Sequence, residues 1–311
     1  MRTNMMSAIC DLEQTAYRSN TYTNRMLRYG LSKLVKNVIL PFRDPLVKRT
    51  VRSTDMMLPL SHMLPKYALV HPYYDSLLPS LVKYLIAKGD IVFVDIGANI
   101  GDTAKLVHAA GGDKVSFICI EADETYFPVL QMNLRNVNAS CHLVLAGAET
   151  TLLSTSAQRN SFGTTSYEIG QGNKTQVMAT DDIIDGRRVD IVKIDTDGFE
   201  LEVLKGMTRT LSEQNAALFI EFSPWHLKTY GKARVEDIVA LLREAEYRHV
   251  IVYDHVGMPL TLTDIEQLSY MANYCAMQKG FYFDLLCHKQ KPFLESFYQA
   301  DLPRFETRSW D

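Results

Sequence analysis

Val94-Asp95-Ile96-Gly97-Ala98-Asn99-Ile100-Gly101-Asp102-Thr103 decides how the rest of the chain is read. The segment leaves the apolar run Ile91–Ile96, turns on a glycine and enters a helix expected over 101–110. Gly97 lets the backbone turn sharply at the carboxyl end of a strand, where doubly wound sheets bind ligands. Gly101 is expected to let the helix start approach a ligand with no side chain between them. What is missing narrows the ligand. A dinucleotide fingerprint, G-x-G-x-x-G, rests a pyrophosphate on the helix N-terminus. Asn99 and Asp102 stand at its second and third glycine positions. No Gly-Lys-Ser/Thr follows, so a P-loop is excluded as well.

Outward from this turn, strand and helix patterns alternate. A helix expected over 73–87, with Pro79 kinking it, precedes the first strand. Strands follow at 115–120, 142–145, 189–194, 217–222, 249–253 and 281–287, with helices over 123–135 and 234–245. Continuous apolar strands alternating with helices are what a parallel sheet covered on both faces requires. The expected class is α/β, a Rossmann-like, seven-stranded, mostly parallel sheet whose last two strands form an antiparallel pair. The stretch 150–180, rich in Ser, Thr, Gly, Asn and Gln, breaks the rhythm. It reads as a hairpin-like insertion beside the active site, with a mobile tip near 160–163.

Two acids point to a cationic ligand. Asp95, two residues before Gly97, would repel a phosphate and attract a positive group. Glu121 ends the next strand, where a carboxylate can accept both ribose hydroxyls of a nucleoside. S-adenosylmethionine carries a sulfonium and an ammonium, and it is the cofactor expected here. Its site is expected to comprise Asp95, Gly97, Ala98, Asn99, Gly101, Glu121 and Ala122, with Asp195 reaching it from the reacting side.

That reacting side is the run Val192-Lys193-Ile194-Asp195-Thr196-Asp197-Gly198-Phe199-Glu200-Leu201-Glu202, an apolar strand ending in charge. Methylation of an alcohol needs its oxygen in line with the sulfonium methyl and a route for its proton. Asp195 and Asp197 are placed to orient the hydroxyl or take that proton. Lys193 lies within an apolar strand, so its ammonium needs a partner; Glu221, ending the neighbouring strand, is the one expected. Pro224 forces a turn that sets Trp225 and His226 over the sheet edge, His226 as a base near neutral pH and Trp225 against a sugar face or the core. Asp195, Lys193 and His226 are thus the catalytic candidates, and Asp197, Glu221 and Trp225 the substrate-binding ones. Nitrogen methylation is disfavoured, because no Asn/Asp-Pro-Pro-aromatic turn follows the strand. Asp195, Asp197 and Glu200 have no spacing that compels a metal, and none is expected.

Composition sets the remaining bounds. Of 311 residues, 47% are hydrophobic and 22% charged, ample for a full core. Residues 1–60 hold ten Lys/Arg against four acids, +6, leaving −9 for the rest of a chain whose net charge is −3. They read as helix and loop, with an apolar stripe at 27, 31, 34, 35, 38 and 39 and a stop at Pro41. Residues 25–52 could contact a membrane surface or dock an RNA or lipid-linked substrate; packing or homodimerisation through the stripe is the other use. No stable nucleic-acid complex is expected. Five scattered cysteines without CxxC spacing fit reduced thiols. With no signal-like or membrane-spanning run, a cytoplasmic location is expected. The expected division is a basic extension over 1–57, a catalytic domain over 58–290 and a tail over 291–311.

Together these segments resemble the FkbM methyltransferases. The resemblance is carried by Leu58–His62, Tyr73-Tyr74-Asp75, Val94–Thr103, Ile120-Glu121, Thr180-Asp181-Asp182, Val192–Gly206 and Glu221–Trp225, and covers about residues 58–254. It implies O-methylation of a sugar, glycan or other small biosynthetic alcohol. It also implies that Asp95, Gly97, Asn99 and Glu121 hold the cofactor while Asp195 faces the reaction centre. Many members carry Glu where Asp197 stands, so that role is not carried over. A domain that binds the cofactor without catalysis is the non-enzymatic alternative.

Overall fold

The computed structural model describes residues 12, 22–159, 163–170, 172–278 and 281–305. The chain forms two compact units, Met1–Pro72 with Asn160–Thr164, and Tyr73–Arg159 with Thr165–Asp311. The boundary expected at 57/58 lies inside the first of these units. The part of the expected basic extension before Tyr22, apart from residue 12, and the expected tip at 160–162 lie outside the described residues.

In the first unit, helix α1 (Tyr22–Leu34) runs on through a π-helical turn, Val35–Ile39, and ends ahead of Pro41. Leu27 and Val38 of its apolar stripe are 38% and 54% exposed. A hairpin of β1 (Leu46–Val51) and β2 (Thr54–Pro59) follows, then helix α2 (Leu64–Val70). The hairpin corrects the reading of helix and loop. Its alternation is visible in hindsight, with Val47, Arg49 and Val51 buried. The two-residue turn was not: Arg52 and Ser53 both take positive φ, 49° and 68°, a conformation usually signalled by Asn-Gly.

The second unit opens with α3 (Leu77–Ile86), β3 (Ile91–Ile96), α4 (Asp102–Gly111), β4 (Val115–Glu121), α5 (Phe127–Leu134) and β5 (Ala139–Leu143). Because α3 starts at Leu77, Pro79 sits in its first turn, where no N–H partner is lost, and it does not have to kink the helix. Next come β6 (Leu145–Gly147), β7 (Thr151–Arg159), β8 (Thr165–Ile169) and β9 (Asn173–Ala179), a separate four-stranded sheet in the order β6-β9-β7-β8. The polar insertion is thus strand throughout most of its length. Then follow α6 (Thr180–Ile184), β10 (Ile191–Ile194), α7 (Glu200–Lys205), α8 (Thr208–Glu213), β11 (Ala217–Phe222), α9 (Pro224–Thr229) and α10 (Val235–Glu244). The last elements are β12 (His249–Asp254), β13 (Pro259–Asp264), α11 (Leu268–Met277), β14 (Phe283–His288) and α12 (Lys291–Asp301).

The central sheet has the order β13-β12-β14-β11-β10-β3-β4-β5. Strands β11, β10, β3, β4 and β5 are parallel; β14 runs antiparallel to both of its neighbours, β11 and β12. Seven of these strands match expectation, and β13 adds an eighth beside β12. Alternation along the strands splits the core in two. Val94, Val192, Leu218 and Ile220 face one layer; Phe93, Ile191, Phe219 and Leu286 face the other. Residues 291–301 are no tail. Helix α12 buries Leu294 and Phe297 in the second layer, and its buried Asp301 accepts a hydrogen bond from Tyr253 Oη at 3.4 Å. Among the described residues, no helix is long and apolar enough to cross a membrane.

Candidate active site

The parallel strands deliver Asp95, Glu121, Lys193 and Glu221 to one edge of the sheet. At the first loop, the Gly97 and Ala98 N–H groups donate to the Ile120 carbonyl at 2.9 and 3.0 Å. The Glu121 carboxylate accepts the Asn99 N–H at 2.6 Å and the Asp123 N–H at 2.7 Å, so it braces both loops with one lone pair of each oxygen. The other lone pairs are the ones left for ribose hydroxyls. Burial pushes the Glu121 carboxyl up to about 7. Ala122 packs beside Tyr167 and Phe199 in a small apolar cluster next to it.

The two glycines of this loop work differently. Gly97 has φ +80°, and a Cβ there would lie 1.8 Å from the Asp195 carbonyl oxygen. The cofactor turn and the reacting strand therefore touch backbone to backbone. Gly101 also has φ +80°, but its missing Cβ makes room for Leu130 Cδ1, which would be 2.8 Å away. Its side-chain face thus packs against α5, instead of clearing the way for a ligand.

Lys193 is buried and pairs with Asp195 at 3.1 Å and Asp95 at 3.3 Å. This corrects the expected Lys193–Glu221 pair. Register decides it: Lys193 stands opposite Asp95 on β3 and opposite Phe219, not Glu221, on β11. The Asp95 carboxyl is raised to about 6, burial outweighing the Lys193 ammonium 3.3 Å away. A buried carboxylate next to an acid ending β4 fits a nucleoside with a cationic tail. Asp195 is one-third exposed and continues the same rim.

On the far side of Asp195, the turn before α7 holds Asp197 at φ 51°. Glu200, not Asp197, braces that turn: it is 1% exposed and accepts from the Thr196 N–H, the Thr196 hydroxyl and the Gly198 N–H. Its carboxylate is thereby turned inward, which takes it out of the trio considered for a metal. The Ser223 hydroxyl caps α9 by accepting the His226 N–H at 3.3 Å. This presents the His226 ring to two carboxylates, with Nδ1 3.5 Å from Asp197 Oδ1 and 3.6 Å from Glu221 Oε1. Trp225 is 55% exposed, so it does not cover the core; its ring lies 5.3 Å from that of His226.

Three residues at this rim were not singled out from the sequence. Tyr74 and Asp75 precede α3, and the Tyr74 hydroxyl is pushed well up by Asp75 and burial, with Asp195, Asp102 and Glu221 adding to it. Asp284 stands opposite Glu221 in the β11–β14 register, its carboxyl raised by burial and by Glu221. Tyr73-Tyr74-Asp75 was visible as a motif without a position. Asp284 gave no signal, because the register of a strand 63 residues beyond Glu221 is not written locally. Asp123 is a further bracing residue. It receives Arg159 through two hydrogen bonds, 2.6 and 2.8 Å, and Thr165 at 2.6 Å, which ties the β7–β8 hairpin to the loop after Glu121.

A parallel sheet whose reversed strand is slipped in between two parallel ones, carrying this glycine turn, defines a class I methyltransferase, and the paired acids suit its donor, S-adenosylmethionine. Residues 95–249 match the model of the methyltransferase FkbM domain, and the chain belongs to that family of S-adenosylmethionine-dependent enzymes. No curated protein matches the chain. Among solved structures it is similar to methyltransferase FkbM from Methylobacillus flagellatus KT, at 18% identity and a TM-score of 0.42, over 89% of this chain and 58% of that one. The chain thus spans a little over half the length of that protein. It is also similar to an S-adenosylmethionine-dependent methyltransferase from Agrobacterium tumefaciens, at 8% identity and a TM-score of 0.43, over 79% of this chain and 70% of that one. The O-methyltransferase TomG from Streptomyces achromogenes, involved in tomaymycin synthesis, is similar at 12% identity and a TM-score of 0.38, over 68% and 79% of the two chains.

Proposed function

We propose that the chain transfers the methyl group of S-adenosylmethionine to a hydroxyl of a sugar, glycan or other small biosynthetic alcohol. The observation that carries this reading is the Asp195 carboxylate: one-third exposed, paired with Lys193, and on a strand end that touches the Gly97 turn. S-adenosylmethionine, when bound, would supply a methyl group activated by its positive sulfur, and the proton of the accepting hydroxyl would pass to the rim. Asp195 and His226 are the groups placed to receive it. Lys193 orients Asp195 through its ammonium, 3.1 Å away. Asp95 and Glu121 hold the donor through its charge and its ribose, with Gly97, Ala98, Asn99 and Ala122 forming the wall around it. The half-exposed Trp225 ring offers a flat apolar face for a sugar.

Asp195→Ala tests this. Lys193 keeps Asp95 as its partner in that variant, so the fold should survive. Methyl transfer across a panel of sugars and small alcohols should drop at least 100-fold, while calorimetry still detects S-adenosylhomocysteine. Undiminished turnover would remove Asp195 from the reaction.

A further inference from the structure

We infer that Asp197, Glu221 and His226 form a binding site for one divalent first-row transition ion, with Mn²⁺ as its working probe. Asp197, Glu221 and His226 each bring one ligand atom to a common point, all within 4.8 Å of one another. They come from three segments, the β10–α7 turn, the end of β11 and helix α9, so no single piece of local structure explains their meeting.

The arrangement is too wide for hydrogen bonding and close to right for coordination. His226 Nδ1 is buried and makes no hydrogen bond, although two carboxylate oxygens stand 3.5 and 3.6 Å away. Adjacent ligand atoms on one ion at metal–ligand distances of about 2.1 Å lie about 3.0–3.4 Å apart; the two His226 distances need to shorten by only a few tenths of an ångström, and the two carboxylates lie within 4.8 Å of each other. The Lys193 ammonium is committed to Asp95 and Asp195 and lies outside this trio. The frame is rigid. Gly198 lets the Asp197 turn lie directly on α9, where a Cβ would stand 2.6 Å from the His226 carbonyl oxygen.

Ligand chemistry selects the ion. One imidazole nitrogen with two carboxylates suits manganese, iron or zinc better than magnesium, which prefers oxygen ligands throughout. Three protein ligands leave coordination positions open, as catalytic sites do and structural ones do not. The use of those positions rests on the methyl-transfer reading. An acceptor hydroxyl bound there would become more acidic and give its proton to Asp195, which then takes that role alone, because an ion occupies the His226 nitrogen that could otherwise receive it.

The experiment adds Mn²⁺ alone to the chelator-treated full chain. Electron paramagnetic resonance should show one saturable Mn²⁺ per chain, weakened at least 10-fold by His226→Ala and by Glu221→Gln and unchanged by Glu202→Gln on the exposed side of α7. In the unaltered protein, which avoids any question of folding, Mn²⁺ should broaden the ring-proton signals of His226 and Trp225 before those of other histidines. No saturable binding below millimolar Mn²⁺, or equal binding in all variants, overturns the site. Saturable binding without methyl transfer to any alcohol would keep the site and sink the reading of its use. Transfer that is indifferent to chelator, with no Mn²⁺ bound, would do the reverse.

Discussion

A lysine 3% exposed, between two aspartates, is held by charge balance more than by packing. Removing one member of a buried ion pair strands the other charges, at a cost of about 3–5 kcal/mol. Lys193→Met should therefore lower stability by about that amount in urea unfolding. Glu221→Gln is the contrast. The Glu221 carboxyl is pushed well up by burial and by Asp195 and Asp197, so an uncharged amide of the same shape relieves that crowding of like charge. That substitution should change stability by less than about 1 kcal/mol, and equal losses from the two would restore Glu221 as the partner of Lys193. Gly97→Ala sets a Cβ 1.8 Å from a carbonyl oxygen at φ +80°. It should cost about 3 kcal/mol, from positive φ and overpacking together, and full stability by the same measurement would contradict the backbone contact.

At the scale of elements, the β7–β8 hairpin is tied to the cofactor loop by Tyr167 packed beside Ala122 and by hydrogen bonds to Asp123, whose side chain is fully buried while Arg159 is half exposed. Arg159→Ala leaves that carboxylate short of two donors. Affinity for S-adenosylhomocysteine should fall about 10-fold by calorimetry, because Asp123 N–H helps hold Glu121, while the central sheet stays folded. Unchanged affinity would make the hairpin a bystander. Sequence and structure diverge at this scale for physical reasons. Strands β3, β4, β10 and β11 were legible because each is a continuous apolar run ending in a turn or a charge. The β1–β2 hairpin was not, since Arg52-Ser53 lacks the residues its turn conformation favours. Lys193 was legible as a residue that needs a partner, but the identity of the partner is a matter of register, which pairs it with Asp95 across 98 positions of sequence. The meeting of His226 with Asp197 and Glu221 was hidden for the same reason, being set by how α9 lies on the β10–α7 turn.

At the scale of the whole molecule, the site stores unfavourable charge. Asp95 is raised from 3.8 to about 6, and Glu121 and Glu200 from 4.5 to about 7, chiefly by burial. Between the unfolded and folded values the native state binds more protons than the unfolded chain, so stability falls as pH rises. Their contribution is complete below about pH 4 and is lost on rising through about pH 6–7. The lowered Asp123 carboxyl acts in the opposite sense, but below that window. The melting temperature of the ligand-free protein should drop by several degrees from pH 5.5 to 8. S-adenosylmethionine should gain affinity over S-adenosylhomocysteine across the same interval, as ionised carboxylates meet the sulfonium. A flat melting profile would show that these acids are not strained by burial.

The contact between Gly97 and the Asp195 carbonyl has a further consequence. Neighbouring strands lie about 4.8 Å apart, a spacing fixed by peptide hydrogen bonds. The two loops that spring from adjacent strands and abut there are gauged by the sheet itself. Surrounding loops are then at liberty to diverge, since the ruler that sets the spacing is main chain and is indifferent to which side chains grow around it.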